Sequence, residues 1–154
     1  MSGHDLHGQC HCGALQLTLT MSRPPAELPV RICACTFCTR HGGRYTSDAA
    51  GTAEIAIADE ALLGRYRFGL GLADFLFCRR CGVYVGAYEP GEPGRAVFNI
   101  NVLDEPGAFV AAPTTMDYDA EDTAARTARR ARAWTPARLV VGATRAAGDP
   151  GAGA

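Results

Sequence analysis

Seven cysteines, gathered into three tight groups, constrain this chain more than any other feature of its sequence. Cys10-His11-Cys12-Gly13 lies near the start, Cys33-Ala34-Cys35-Thr36-Phe37-Cys38 follows, and Cys78-Arg79-Arg80-Cys81-Gly82 comes past the middle. The first and last groups are two half-sites of two sulfurs each. Together they complete one all-cysteine tetrahedral centre, the closed form of structural zinc. The middle group offers three thiolates from one short loop, and a working zinc site typically takes three protein ligands and leaves the fourth position to water or substrate. The seven therefore divide into four plus three, which predicts two zinc ions per chain. Glycine directly after Cys12 and Cys81 fits, because a backbone that wraps a metal needs a residue tolerant of positive φ.

Other uses of thiols are weaker fits. An odd cysteine count, an opening without a leader pattern and pairs too tightly spaced to staple distant loops argue against disulfides. A thioredoxin-like redox pair at Cys78 and Cys81 lacks the expected βαβ surroundings. Two alternatives stay open on spacing alone. Iron suits the same thiolates, and zinc in two purely structural sites satisfies the same pattern.

Length and composition describe the rest. One chain of 154 residues, 47% hydrophobic and 20% charged, reads as a single globular domain with a modest core. A structural zinc site contributes on the order of 10 kcal/mol of coupled binding and folding, a large share for a domain of this size. A formal net charge of −1 gives no footprint for nucleic acid. No apolar run approaches the roughly twenty residues of a membrane span, so no membrane role is predicted. The predicted location is the cytoplasm, where reduced thiols are available for metal.

The chain reads as mainly β. Residues 1–9 are predicted to be a mobile start, 10–141 one zinc domain and 142–154 a flexible tail. Leu15, Leu17 and Leu19 alternate with Gln16, Thr18 and Thr20, the pattern of a strand with one buried face. Short strands are predicted at 30–32, 44–47, 54–58, 66–68, 74–77 and 83–88, the last forming a hairpin with 96–102. The sheet is predicted to end at Leu103–Gly107. Phe75 and Phe77 read as core. One long helix is predicted over 120–134, capped by Asp119 and stopped by Pro136, with Arg126, Arg129, Arg130 and Arg132 near its end as the helix dipole prefers. With a near-neutral chain, those arginines read as a solvated face, an anionic ligand being the alternative. Leu139-Val140-Val141 reads as a short packed segment.

The order and spacing of the thiols over about residues 8–110 resemble the glutathione-dependent formaldehyde-activating enzyme family, also called the CENP-V/GFA domain. The resemblance implies an Mss4-like fold of short antiparallel sheets joined through zinc. It implies that Cys10, Cys12, Cys78 and Cys81 hold a structural zinc and that Cys33, Cys35 and Cys38 hold a catalytic one. The implied reaction is carbon–sulfur lyase chemistry on the adduct of formaldehyde and glutathione, so the implied partners are a small aldehyde and a thiol such as glutathione. Many relatives carry histidine where this chain has Ala34, and the arginine-rich segment after Asp117 lies outside the match. From the residues themselves, His41 is a candidate to move a proton between sulfur and oxygen. Arg40 and Arg44 are the cations nearest the thiols in sequence, suited to glutathione carboxylates. The rival reading is a non-catalytic zinc module that binds a protein partner, which fold alone does not separate from an enzyme.

Overall fold

The computed structural model describes residues 3–142 and 144. In chain order the first half holds β1 (His4–Gln9), β2 (Leu15–Met21), β3 (Arg31–Cys33), α1 (Thr36–His41), β4 (Tyr45–Thr46) and β5 (Thr52–Ile57). The second half holds β6 (Leu63–Tyr66), β7 (Asp74–Cys78), β8 (Tyr84–Glu89), β9 (Arg95–Asn99), β10 (Thr114–Met116), α2 (Thr123–Ala133) and β11 (Thr135–Val141). The fold is mainly β with one longer helix towards the C-terminus. Among the described residues no helix is long and apolar enough to cross a membrane.

The alternating leucines of β2 dictate the first layer. Leu15, Leu17 and Leu19 are fully buried and stand opposite Ile57, Ile55 and Ala53 of β5 in antiparallel register. Each such side chain contributes about 1.5–3 kcal/mol by leaving water. On its other edge β2 pairs with β1, His4 facing Met21 and Gln9 facing Gln16. The expected mobile start is thus corrected over residues 4–9: Leu6 packs on the core and Asp5 accepts a 2.9 Å hydrogen bond from the Thr20 hydroxyl. With one apolar side chain in six, β1 is defined by its partner rather than by its own pattern.

The second layer is built on β9, which carries β8 along one edge and first β11, then β4, along the other. β11 is the join between the layers, because it also runs parallel to β5 over residues 137–141. The sheet therefore does not end at Leu103–Gly107. β10 adds a parallel edge beside β3, and the segment expected as a short packed piece is a central strand. With two parallel pairings, the sheet is mixed rather than wholly antiparallel. Pro136 sits inside β11, opposite Arg95, after α2 has already ended. Asp122, not Asp119, caps α2, its carboxylate accepting from the Ala125 amide at 2.8 Å. The expected tail falls largely outside the described residues.

A one-residue bulge sets the two faces of the second layer. Gly86 pairs with Leu76 but Tyr84 pairs with Phe77, so β8 carries one residue more than β7 across that step. Bulges re-aim side chains. Here Val85 enters the larger core with Phe98 and Ile100, while Tyr84 and Ala87 both face a smaller cluster with Cys38, Tyr45, Val97 and Trp134.

Candidate metal centres and the adjoining pocket

The first centre joins two turns that are far apart in sequence. Cys10 and Cys12 lie in the β1–β2 connection, and Cys78 ends β7 with Cys81 in the turn that leads to β8. Gly13 and Gly82 have φ of 83° and 80°, the left-handed region that lets each chain curl back, and their amides bond the carbonyls of Cys10 and Cys78. Amides also point at sulfur: Leu15 donates to Cys10 Sγ and Arg80 to Cys78 Sγ, each at 3.3 Å. All four sulfurs lie within 4.8 Å of one another, Cys10 Sγ and Cys12 Sγ 3.8 Å apart and Cys12 Sγ and Cys78 Sγ 3.6 Å. A tetrahedron with zinc–sulfur bonds of about 2.3 Å has edges of about 3.8 Å, so the set fits one ion and leaves no room for a cluster of several metals. No cysteine among the described residues forms a disulfide.

Burial makes the sulfurs depend on such an ion. Cys10 and Cys78 are inaccessible to solvent. Burial pushes the Cys10 thiol up to about 12. At Cys81 burial raises the thiol but backbone amides and neighbouring thiols outweigh it, bringing it down to about 7. A cation in the middle would stabilise all four as thiolates and remove the mutual repulsion.

The second centre is local. Cys33 ends β3, Cys35 is the N-cap of α1 with its sulfur accepting from the Cys38 amide at 3.4 Å, and Cys38 lies one turn into the helix. The three thiols thus come from a strand end and a helical turn rather than from a loop. Their sulfurs lie within 4.8 Å of one another, a set that fits a tetrahedral ion with one protein ligand fewer. The Cys38 thiol donates towards Cys33 and so lowers Cys33 to about 6, while Cys38 itself is pushed up by that contact and by burial.

Beside Cys33 and Cys38 opens a cavity of about 70 Å³. Arg31 lies on its wall because residues i and i+2 of a strand share a face, so Arg31 and Cys33 of β3 look the same way. Tyr45, paired with Arg31 across β3–β4, and Tyr84, turned inward by the bulge, add two phenols. Helix α2 closes the cavity with Arg129 and Arg130, and Trp134, the residue that follows it, completes the wall. Its seat is fixed by the Ser47 hydroxyl donating to the Ala133 carbonyl at 2.6 Å and by the Asp48 amide donating to Thr135 Oγ1 at 2.8 Å.

The arginines of α2 depart from the expected solvated face. The side chains of Arg126, Arg129 and Arg130 are only 16%, 18% and 8% exposed. Glu121 accepts from Arg129 at 2.8 and 3.0 Å and from Arg126 at 3.2 Å, and the Arg129 guanidinium lies 3.5 Å over the Tyr118 ring. Arg130 stacks on Trp134 at 4.4 Å and reaches Glu89 only at 3.6 Å. Arg132 alone of the four is exposed.

His41 lies outside the cavity wall, exposed, with its ring 4.6 Å from Phe37 and 5.0 Å from Tyr84. Arg40 is exposed on α1 and Arg44 half-buried before β4, and neither lines the cavity. Phe75 is part of its wall rather than of the main core. Sequence reasoning missed Arg31, Tyr45, Tyr84, Tyr118 and Trp134, and held an anionic ligand for Arg129 and Arg130 only as the alternative to a solvated face. Only Arg31 and Tyr45 left a readable signal, the first by its i+2 relation to Cys33 and the second by its strand next to the thiols.

Fold and sites together define a cysteine-rich β domain with two sulfur clusters able to hold metal, one buried and one opening on a pocket. The sequence profile of the glutathione-dependent formaldehyde-activating enzyme family matches residues 5–120, and the chain belongs to that family. A crystal structure of a Rhodobacter sphaeroides protein superimposes with a TM-score of 0.56 at 26% identity, covering 71% of this chain and 99% of that one. Residues after 120, including Arg129, Arg130 and Trp134, lie beyond the family match.

Proposed function

We propose that this chain forms or cleaves the carbon–sulfur bond between a small aldehyde and a thiol such as glutathione, a lyase-type reaction. One observation carries the reading: the Cys33/Cys35/Cys38 set, one ligand short of a tetrahedron, opens onto a cavity holding two phenols that lack a well-formed hydrogen bond. In this reading Cys10, Cys12, Cys78 and Cys81 hold a structural zinc, and Cys33, Cys35 and Cys38 hold a second. Held by Cys33, Cys35 and Cys38, a zinc ion would offer one exchangeable position and would favour the thiolate form of a bound thiol near neutral pH.

The remaining work falls to the chain's own groups. In the forward direction the thiol sulfur bonds to the carbonyl carbon, the π pair of the carbonyl moves to oxygen, and the thiol proton ends on that oxygen. R–SH and R′–CHO give R–S–CH(OH)–R′, with no oxidant and no leaving group. The Tyr45 and Tyr84 hydroxyls donate to the oxygen as its charge grows, the kind of preorganised stabilisation that matters most where water is excluded. Apolar neighbours Phe75, Val97 and Trp134 provide that exclusion. His41, on the outer side of Tyr84, exchanges the proton with water. A cavity this small admits a small aldehyde or the tip of a longer molecule, so the body of a tripeptide thiol lies outside, where Arg40 and Arg44 meet its carboxylates.

Composition agrees with aldehyde chemistry. All fifteen basic residues are arginine, so the chain has no lysine amine for an aldehyde to capture as an imine.

The test uses protein purified without chelator, with elemental analysis and adduct formation from formaldehyde and glutathione followed by NMR. Two zincs per chain and accelerated adduct formation are expected, with turnover lost and one equivalent of zinc released in Cys35→Ser. Two firmly held ions with no turnover of any aldehyde–thiol pair would leave a zinc module for a protein partner. An unaltered pH–rate profile in His41→Ala would remove His41 from the proton path.

A further inference from the structure

The cavity contains more hydrogen-bond donors than the protein itself satisfies. Tyr45 Oη, Tyr84 Oη and Arg130 Nε are buried without a well-formed hydrogen bond; the phenols have only each other and the Cys38 thiol nearby, and Arg130 Nη1 has only the Glu89 carboxylate at 3.6 Å. The residues that carry them are 4%, 3% and 7% exposed. An orphaned buried donor costs about 1–3 kcal/mol, more when charged, so this group of under-satisfied donors on one small cavity points to an acceptor that the protein supplies only in part. The guanidinium can only donate and both phenols can donate to the same partner, which favours a partner rich in oxygen lone pairs.

Charge narrows the class. Arg31, Arg129 and Arg130 line the cavity, and the carboxylates paired with the last two are Glu121 and Glu89. Among the described residues no carboxylate pairs with Arg31, whose Nη1 is held at 2.8 Å by the Ser47 hydroxyl. Burial also lowers Arg130 from its ordinary value, the mark of a guanidinium group stripped of water that gains from an anion. The donors are of two kinds, neutral phenols beside the sulfurs and guanidiniums on the other walls. One compact molecule with a carbonyl oxygen and a carboxylate satisfies both.

We propose that the cavity takes a carboxylate-bearing small aldehyde, an oxo acid, with its carboxylate on Arg31 and Arg130 and its carbonyl oxygen on Tyr45 and Tyr84. The assignment deepens the aldehyde–thiol reading and rests on it for the role of the carbonyl, while the carboxylate site stands on geometry alone. Arg130 and Trp134 come from beyond the family match, so the choice of aldehyde is a property of this chain's own α2. A charged, planar partner also suits guanidinium groups in particular, which bind carboxylates through two parallel hydrogen bonds.

Trp134 is the chain's single tryptophan and lines the cavity, so its fluorescence reports occupancy without any reaction. Zinc-loaded protein is titrated with glyoxylate, with acetaldehyde as the neutral comparison and with mercaptoacetate, which carries the same carboxylate on a thiol. Glyoxylate is expected to give a saturable change at least about ten-fold tighter than acetaldehyde, the size of a charge-assisted hydrogen bond. Arg31→Gln should remove that preference and Arg31→Lys restore part of it. Because the comparison of charged and neutral ligands needs no variant, a misfolded variant does not spoil the test.

Equal binding of glyoxylate and acetaldehyde, no binding of either, or an unchanged preference in Arg31→Gln would overturn the proposal. So would tighter binding of mercaptoacetate than of glyoxylate through Arg31, which would put the carboxylate on the thiol. Failure of the broader reading looks different. Glyoxylate binding without any aldehyde–thiol turnover leaves the oxo-acid site in place and removes the lyase activity. Formaldehyde turnover without glyoxylate preference does the reverse.

Discussion

The two sulfur clusters use the same ligand and differ in everything around it. The four-sulfur set ties turns 66 residues apart and sits in the main core beside the leucines of β2. The three-sulfur set spans six residues between a strand end and a helical turn, and it faces a cavity with two buried phenols that lack a well-formed hydrogen bond. Loop-closure entropy alone separates them: closing the longer loop constrains the unfolded chain by about 2 kcal/mol more than closing the shorter. The lesson is that ligand count and chain separation divide the labour. A centre that joins distant segments stabilises the fold, whereas a centre built from one local segment is free to leave a position open, because little of the fold depends on it.

The largest effect should come from breaking the four-sulfur set. Cys78→Ser should cost on the order of 5 kcal/mol, enough to unfold much of a domain whose total stability is about 5–15 kcal/mol. Thermal denaturation and soluble yield would register it. Cys35→Ser should keep a cooperative transition near that of the parent while metal content drops by one ion. A Cys35→Ser protein as unstable as Cys78→Ser would show that both centres hold the fold, and the contrast would be lost.

Chelation tests the same contrast without mutation. A mild chelator should take the first equivalent of zinc from the half-buried three-sulfur set, which opens on a cavity, with far-UV circular dichroism unchanged. The second should leave only with the loss of β structure. Release of both in a single step coupled to unfolding would contradict this order.

A smaller effect, and one of opposite sign on two measurements, is expected at Tyr84. Its hydroxyl is buried beside that of Tyr45 without a well-formed hydrogen bond, so Tyr84→Phe deletes a group that contributes little to the folded state. Stability should be unchanged or rise by up to about 1 kcal/mol, while turnover of an aldehyde–thiol pair should fall about ten- to a hundred-fold as one donor to the reacting oxygen is lost. A loss of stability with full activity would mean that the hydroxyl serves the fold instead.

How much of this was legible in the sequence follows the same division. Covalent spacing is visible in a sequence, so the four-plus-three grouping, the glycines after Cys12 and Cys81 and the family could all be read before any coordinates. Alternation is visible too, and β2 and the β8–β9 hairpin followed from it. What could not be read depends on long-range placement. Thr135–Val141 carries a proline and no clean alternation, and it becomes a strand because β5 and β9 leave a gap between them. The inward turn of Tyr84 rests on a bulge, a property of two strands and not of one. The buried arginines of α2 look like a solvated face until Glu121, Glu89 and Trp134 are known to be beside them.

The smallest prediction concerns the clamp that holds α2 over the open centre. Hydrogen bonds from Arg129, together with its charge and that of Arg126, hold the Glu121 carboxyl below its ordinary value of 4.5 against a weaker opposing effect of burial. A depressed carboxyl contributes stability that is fully present above its unfolded value and is lost as pH falls through the lower folded value. Thiol protonation and metal release also occur in acid, but they are common to the parent and to Glu121→Gln, so the difference between the two isolates the clamp. Above about pH 5 the parent should be more stable by up to about 1 kcal/mol, as for partly exposed ion pairs, and the gap should close as the medium is taken below pH 4.5. Trp134 fluorescence should follow the same course, since Arg129 and Arg130 share one helix with the clamp. A gap that persists at low pH would assign the effect of Glu121 to packing, and a gap that widens would invert the sign of the linkage.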